Sequence, residues 1–271
     1  MRILSNRTTS LFGNIPYIFQ KKVMKWEYRK NQKDTKFLII DDKDGLLGLC
    51  ALRKNIPVVI YEPNKIFVDG GKHQVPINIP NTENYIFINR TIYGFKDRVS
   101  NELLECKYKV ITKSYYDVID RNKYDYVTAC RSLHLDTNDM YTIEQKINKI
   151  KSNVKDGGYI YLEYYIANTD DEEKYHSNKY LKYDEILKYF PDREWEILTN
   201  EVKIEKELIT PYNICKNDII VGYLDARKRT EIQIGAIKRK KSPKRVPKII
   251  VDRNYVEHKV SHAYTINGVV R

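Results

Sequence analysis

The chain of 271 residues has no run of about 18 apolar residues, so no helical membrane span is expected. Met1-Arg2-Ile3-Leu4-Ser5 lacks the apolar centre of a secretion signal, and the cytoplasm is the expected compartment. Cysteine is scarce: Cys50, Cys106, Cys130 and Cys215 are scattered, with no C-x-x-C pair, which argues against a disulfide frame or a zinc site. His176, His258 and His262 have no metal-ligand spacing with any acid pair, and His73 stands alone, so no metal is expected. A G-x-G-x-x-G loop is missing, which removes the usual dinucleotide fingerprint. There is no internal repeat. The 2 tryptophans and 7 phenylalanines are outnumbered by 23 tyrosines, which offer stacking surfaces but are mostly half-buried structural residues by default.

The most informative segment is Phe37-Leu38-Ile39-Ile40-Asp41-Asp42-Lys43-Asp44-Gly45, followed by Pro57-Val58-Val59-Ile60-Tyr61-Glu62. A buried-type strand runs into a short acidic loop with a glycine. A helix-length stretch and a second strand follow, and that strand closes on a carboxylate. In a parallel sheet the first loop can cradle a ligand's charged group, and an acid ending the next strand can grip a ribose diol. This is the outline of a nucleoside half-site.

The rest of the pattern alternates helix and strand. Tyr17 to Lys30 reads as an amphipathic helix. Strands are expected near 37–41, 57–61, 108–112, 124–129 and 158–166, with helices near 45–55, 95–106 and 139–153. A short helix is expected from Asp117 to Arg121 and another from Tyr183 to Tyr189, before final strands at Trp195–Leu198 and Asp218–Leu224. An insertion at about 63–94 carries Asp69-Gly70-Gly71, read as a hairpin turn between strands at Ile66–Val68 and Val75–Ile77, with a further strand at Tyr85–Ile88. The domain reading is a basic N-terminal segment 1–36, an α/β domain 37–225 and a basic extension 226–271.

Charge is unevenly placed within the net +12. Residues 226–271 hold 13 Lys/Arg against 3 Asp/Glu, residues 1–36 hold 9 against 2, and residues 37–225 hold 26 against 31. The chain is also rich in Lys, Asn, Ile and Tyr, as an A/T-rich genome would encode, but such a bias does not explain the asymmetry. A polyanion partner, RNA favoured, is expected at the ends, through Arg227, Lys228, Arg229, Lys238, Arg239, Lys240, Lys241, Lys244 and Arg245. A merely solvated basic tail is the alternative. Extended segments at 249–251 and 258–270 offer an extra strand or a protein contact, as does the inserted hairpin.

The loop after the first strand resembles motif I of the class I S-adenosylmethionine-dependent methyltransferases, and Glu62 matches their ribose-holding acid. Lys123-Tyr124-Asp125-Tyr126-Val127 resembles the start of that family's fourth strand, and Val154-Lys155-Asp156-Gly157-Gly158-Tyr159-Ile160-Tyr161-Leu162 resembles the turn into its fifth. The resemblance spans about residues 37–225. It implies a seven-stranded Rossmann-like sheet with helices on both faces, S-adenosylmethionine as cofactor, and a site at Asp41, Asp42, Asp44, Gly45, Glu62, Lys113, Ser114 and Cys130.

Two departures accompany the resemblance. The first two family glycines fall on Asp41 and Lys43, where a side chain would crowd the methionine moiety. The family's adenine-contacting acid falls at Lys113 or Ser114, neither of which is acidic. After the fourth strand, Thr128-Ala129-Cys130-Arg131-Ser132-Leu133-His134 replaces the Asn/Asp-Pro-Pro-aromatic signature of amino-methylating DNA enzymes, and no Pro-Cys nucleophile for cytosine C5 is present. His134 is the candidate to orient or deprotonate an acceptor, against a plain strand-end cap. Arg131 is the candidate clamp for an acidic substrate, against an exposed arginine. Glu163 and Tyr164 leave strand five near the same edge. The readings in play are a methyltransferase acting on RNA or another nucleic acid, a catalytically inactive methyltransferase-like binding or assembly subunit, and a small-molecule methyltransferase.

Overall fold

The computed structural model describes residues 17–27, 35–43, 45–78, 85–130, 132–134, 140–166, 180–182, 184–210 and 213–241. They fall in two compact units, residues 1–231 and 232–271. The helices are α1 (Tyr17–Glu27), α2 (Leu46–Leu52), α3 (Lys65–Asp69), α4 (Phe95–Asn101), α5 (Ile143–Ser152) and α6 (Glu231–Lys241). The strands are β1 (Phe37–Ile40), β2 (Val58–Tyr61), β3 (Gly71–Asn78), β4 (Tyr85–Ile92), β5 (Tyr108–Ile111), β6 (Tyr124–Cys130), β7 (Val154–Ile166), β8 (Trp195–Thr210) and β9 (Asn213–Lys228).

Seven strands form one sheet in the order β5-β2-β1-β6-β7-β9-β8. Neighbours are parallel from β5 to β7, while β9 lies antiparallel to both β7 and β8. The apolar run of β1 is buried on both faces, as expected of a central parallel strand. One face packs Leu38, Ile40, Val127 and Leu162 against α5 residues Ile147 and Ile150. The other packs Phe37, Ile39 and Tyr126 against Phe19 and Val23 of α1, Leu49 of α2 and Phe95 of α4. Each fully buried aliphatic or aromatic side chain contributes roughly 2 kcal/mol.

Register places the functional edge. Ile40 pairs with Tyr61 and with Ala129, Tyr61 pairs with Ile111, and Cys130 pairs with Glu163. The residues that follow or end these strands, Asp41, Glu62, residues 112–114 and Cys130, therefore share the carboxyl edge, with Glu163 of β7 level with Cys130. There β9 outruns β7, whose pairing stops at Ile166–Ile220, and continues paired with β8 alone up to Thr210–Asn213. This two-stranded ribbon overhangs the edge by about 20 Å at a strand's rise per residue.

Several expectations need correction. Ile66–Val68 is not a strand but lies in α3, because Asn64 Oδ1 accepts from Ile66 N at 3.0 Å as a helix N-cap and Gly70, at φ 73°, ends the helix. Asp69-Gly70-Gly71 is therefore a helix-to-strand junction. The hairpin pairs Gly71–Asn78 with Tyr85–Ile92, and its connection at 79–84 lies outside the described residues. The helix expected at 117–121 is a 3₁₀ turn at Tyr115–Asp117. Asp120 Oδ1 takes both Asn122 N and Asn122 Nδ2, which favours a turn over a helix beyond it. The helix expected at 95–106 stops at Asn101, and the expected boundary at 225/226 cuts β9, which runs to Lys228.

Arg227, Lys228 and Arg229 are accordingly not part of a loose tail. Arg227 Nε donates to Gly157 O at 3.4 Å, Lys228 Nζ lies 2.8 Å from Asp156 Oδ1, and Arg229 Nε donates to Asp192 O at 2.9 Å. These contacts sit at the amino end of β7, the edge opposite Glu62. Lys238, Arg239, Lys240 and Lys241 lie in the last turns of α6, while Lys244, Arg245 and the extended segments expected at 249–251 and 258–270 are outside the described residues.

Candidate active site

The loop after β1 has a backbone made for glycine at three places. Asp41, Lys43 and Gly45 have φ of 56°, 57° and 80°, all left-handed. A non-glycine residue in that region costs roughly 1–2 kcal/mol, so the glycine-type path is kept although two of its glycines are gone. At Gly45 only glycine fits, since a Cβ would come 2.4 Å from Phe95 Cδ2.

The acids of this loop have separate tasks. Asp42 turns back onto α2, its Oδ1 accepting from Leu47 N at 3.0 Å and its Oδ2 from Gly48 N at 2.8 Å. This buried carboxylate satisfies the helix's orphan amides. Glu62 lies beneath the loop, its Oε2 accepting from Lys43 N at 2.7 Å and its Oε1 from Asn64 N at 3.0 Å. Those two bonds fix the carboxylate at the end of β2 beside the loop. Asp44 lies outside the described residues.

Asp41 is different. Its side chain is buried, with the residue 7 % exposed. Burial first, and then the neighbouring charge of Glu62, push its pKa up from 3.8 to about 8, against the opposing charges of Lys43 and Lys146.

Residues absent from the sequence expectations complete the surroundings. Lys146 of α5 is buried, and its Nζ donates to Leu133 O at 2.9 Å. Tyr116 Oη lies 3.0 Å from Ser132 Oγ, and its phenol is held far above its usual range by burial and then by Asp41. Lys146 carried a signal, a lysine on the apolar stripe Ile143-Lys146-Ile147-Ile150 of a helix opened by a Thr142–Gln145 capping box. Tyr116 and Ser132 carried none.

Of the remaining expected residues, Ser114 accepts from Tyr116 N at 3.3 Å as a turn cap, and Lys113 is exposed. The Cys130 thiol is pushed well above its ordinary pKa by burial and then by Glu163, so it is held as a thiol with Thr128 Oγ1 3.6 Å away. Glu163 Oε1 accepts from Tyr161 Oη at 3.0 Å. His134 ends a 3₁₀ turn at Ser132–His134 and has only its own backbone described, and Arg131 lies outside the described residues. No group of three His, Cys, Asp or Glu among the described residues is placed to hold a metal ion, and no described helix is long and apolar enough to cross a membrane.

The residues fit a nucleoside sulfonium cofactor on two counts, the retained left-handed loop and a carboxylate fixed at the end of β2. At Asp41 a side chain occupies what a glycine would leave open.

No protein-family model and no curated protein matches the chain. Solved structures do. TehB from Haemophilus influenzae aligns with a TM-score of 0.52 at 15 % identity over 77 % of this chain and 62 % of its own, so the chain spans less than two thirds of that protein. YcgJ from Bacillus subtilis aligns with a TM-score of 0.50 at 9 % identity over 78 % of this chain and 99 % of its own. An S-adenosylmethionine-dependent methyltransferase from Clostridium acetobutylicum aligns with a TM-score of 0.49 at 10 % identity over 80 % and 93 % of the two chains. With five parallel strands, a final antiparallel hairpin and the acid-bearing loop at the carboxyl edge, the chain has the Rossmann-like fold of the class I S-adenosylmethionine-dependent methyltransferases.

Proposed function

We propose that the protein is an S-adenosylmethionine-dependent methyltransferase whose acceptor is a nucleic acid, RNA in preference. The observation that carries the methyltransferase reading is Glu62, clamped by Lys43 N and Asn64 N under a loop that keeps φ of 56°, 57° and 80°. In this reading Glu62 holds the ribose, the backbone of Lys43 and Gly45 borders the amino-acid end, and the carboxyl edge of β6 and β7 receives the acceptor beside Cys130 and Glu163. The cofactor supplies a methyl group already activated on sulfur. The chain's own work is positioning and exclusion of water, which needs no strong base.

Binding is tested by thermal unfolding with S-adenosylmethionine or S-adenosylhomocysteine. Saturation near 100 times Kd adds about 2.7 kcal/mol, a rise of roughly 5–10 °C for a body of this size. Glu62→Ala should remove the rise, with circular dichroism checking that the variant is folded. No rise in the folded wild type at millimolar ligand overturns the reading.

The acceptor class rests on the 13 basic against 3 acidic residues of 226–271. Single-stranded RNA should bind with an affinity that falls steeply with salt. Removing residues 232–271, a cut that leaves β9 whole, should weaken binding at least tenfold and flatten the salt dependence. Unchanged binding refers the charge to solvation alone.

A further inference from the structure

The seven-stranded sheet ends on β8, which has β9 on one side and, among the described residues, no strand on the other. At 16 residues β8 is about three times the usual strand length. Its sequence contains no proline to block a further strand. The pairing with β9 shifts register between Ile197 and Thr199 and again beyond Lys206, so Thr199–Lys206 is a regular ladder. Large apolar side chains stand exposed along this edge at Leu198, Val202 and Ile204, the last at 72 %. A long, regular edge with exposed apolar residues is a template for another strand.

The charges on the edge say which strand fits. Residues opposite each other in an antiparallel pair point to the same face, so a strand pairing with its own copy has one residue opposite itself. Within the regular ladder, pairing centred on Val202 uses residues 199–205, and pairing centred on Lys203 uses 200–206. Centring on Lys203 sets two ammonium groups against each other, which is destabilising. Centring on Val202 instead sets Glu201 of each copy against Lys203 of the other. Both side chains are more than half exposed, and Lys203 Nζ already lies 3.5 Å from Glu201 Oε2 of its own chain. The pairing would close these four charges into an alternating ring above Tyr223, whose ring centroid is 5.3 Å from Lys203 Nζ. On the opposite face Val202 meets Val202, and Asn200 meets Ile204.

We propose that β8 is a self-complementary interface, joining two copies of the chain antiparallel about a twofold axis at Val202 into one continuous sheet. The inference does not depend on the methyltransferase reading. In such a dimer the carboxyl edges of the two sheets point in opposite directions, so each copy keeps a separate site.

The experiment is sedimentation equilibrium of the full chain, which should give twice the chain mass. Lys203→Glu opposes like charges at both pairs and should weaken the dimer at least tenfold, with circular dichroism checking the fold. Combining it with Glu201→Lys exchanges the charges and should restore the dimer. Val202→Cys should form an intermolecular disulfide on mild oxidation where the wild type forms none. Self-opposed residues have Cα atoms about 4.5–5.5 Å apart, within a disulfide's reach. A monomeric wild type overturns the proposal and leaves the edge to solvent or to another segment of the chain. A dimer that tolerates Lys203→Glu, or that Val202→Cys does not link, is built elsewhere and overturns it equally.

Discussion

Gly222→Ala should cost about 3 kcal/mol of stability, because the ring of Tyr164 lies directly across that position. Gly222 of β9 pairs with Tyr164 of β7, and a Cβ at residue 222 would lie 2.2 Å from Tyr164 Cζ. The ring cannot easily swing aside. It is buried in the core, and its hydroxyl reaches past β9 to donate to Asn200 Oδ1 on β8 at 3.2 Å. Chemical denaturation should therefore show the full loss in the wild-type background. In Tyr164→Ala, where the ring is gone, adding Gly222→Ala should cost less than about 0.5 kcal/mol, since β-propensity then favours alanine over glycine. Equal costs in the two backgrounds would mean that the glycine is required for backbone freedom and not for the ring.

Asp42→Ala should lower stability by a similar amount, about 3 kcal/mol, without a comparable direct effect on cofactor contacts. The change strands Leu47 N and Gly48 N at the buried start of α2, and each unsatisfied amide costs roughly 1–3 kcal/mol. Asp42→Asn keeps one oxygen but turns an NH₂ group toward the other amide, so about half the loss is expected. Denaturant midpoints together with ligand titration at saturating protein stability separate the two roles. A variant that keeps wild-type stability but loses S-adenosylhomocysteine binding would return Asp42 to the ligand.

What the chain discloses by pattern is uneven, for physical reasons. The strand Phe37–Ile40 and Glu62 were legible because a parallel strand buried on both faces must be a short apolar run, and the carboxylate ending its neighbour stands out against it. The division of labour between Asp41 and Asp42 was not legible. Adjacent aspartates look alike until backbone angles send one carboxyl onto a helix start and the other into the interior. α3 was hidden because Ile66-Phe67-Val68 has strand-forming composition, and the Asn64 cap and Gly70 stop outweighed it. Arg227, Lys228 and Arg229 look like the start of a basic tail in sequence. They prove to be tied to carbonyls and a carboxylate at the end of β9, a distinction that charge counting cannot make. Tyr116 and Ser132 reach the Asp41 neighbourhood only through the sheet's crossovers.

The insertion of β9 between β7 and β8 governs how this protein must be born. The last of the described strands in chain order is the one that joins the two before it, and Lys22 of the first described helix finds Asp225 on that same strand at 3.1 Å. A nascent chain ending before residue 213 leaves β7 with a bare edge and β8 with no neighbour, a condition that invites pairing with other chains. Synthesis of residues 213–228, more than the making of the nucleoside half-site, is the event that closes the sheet.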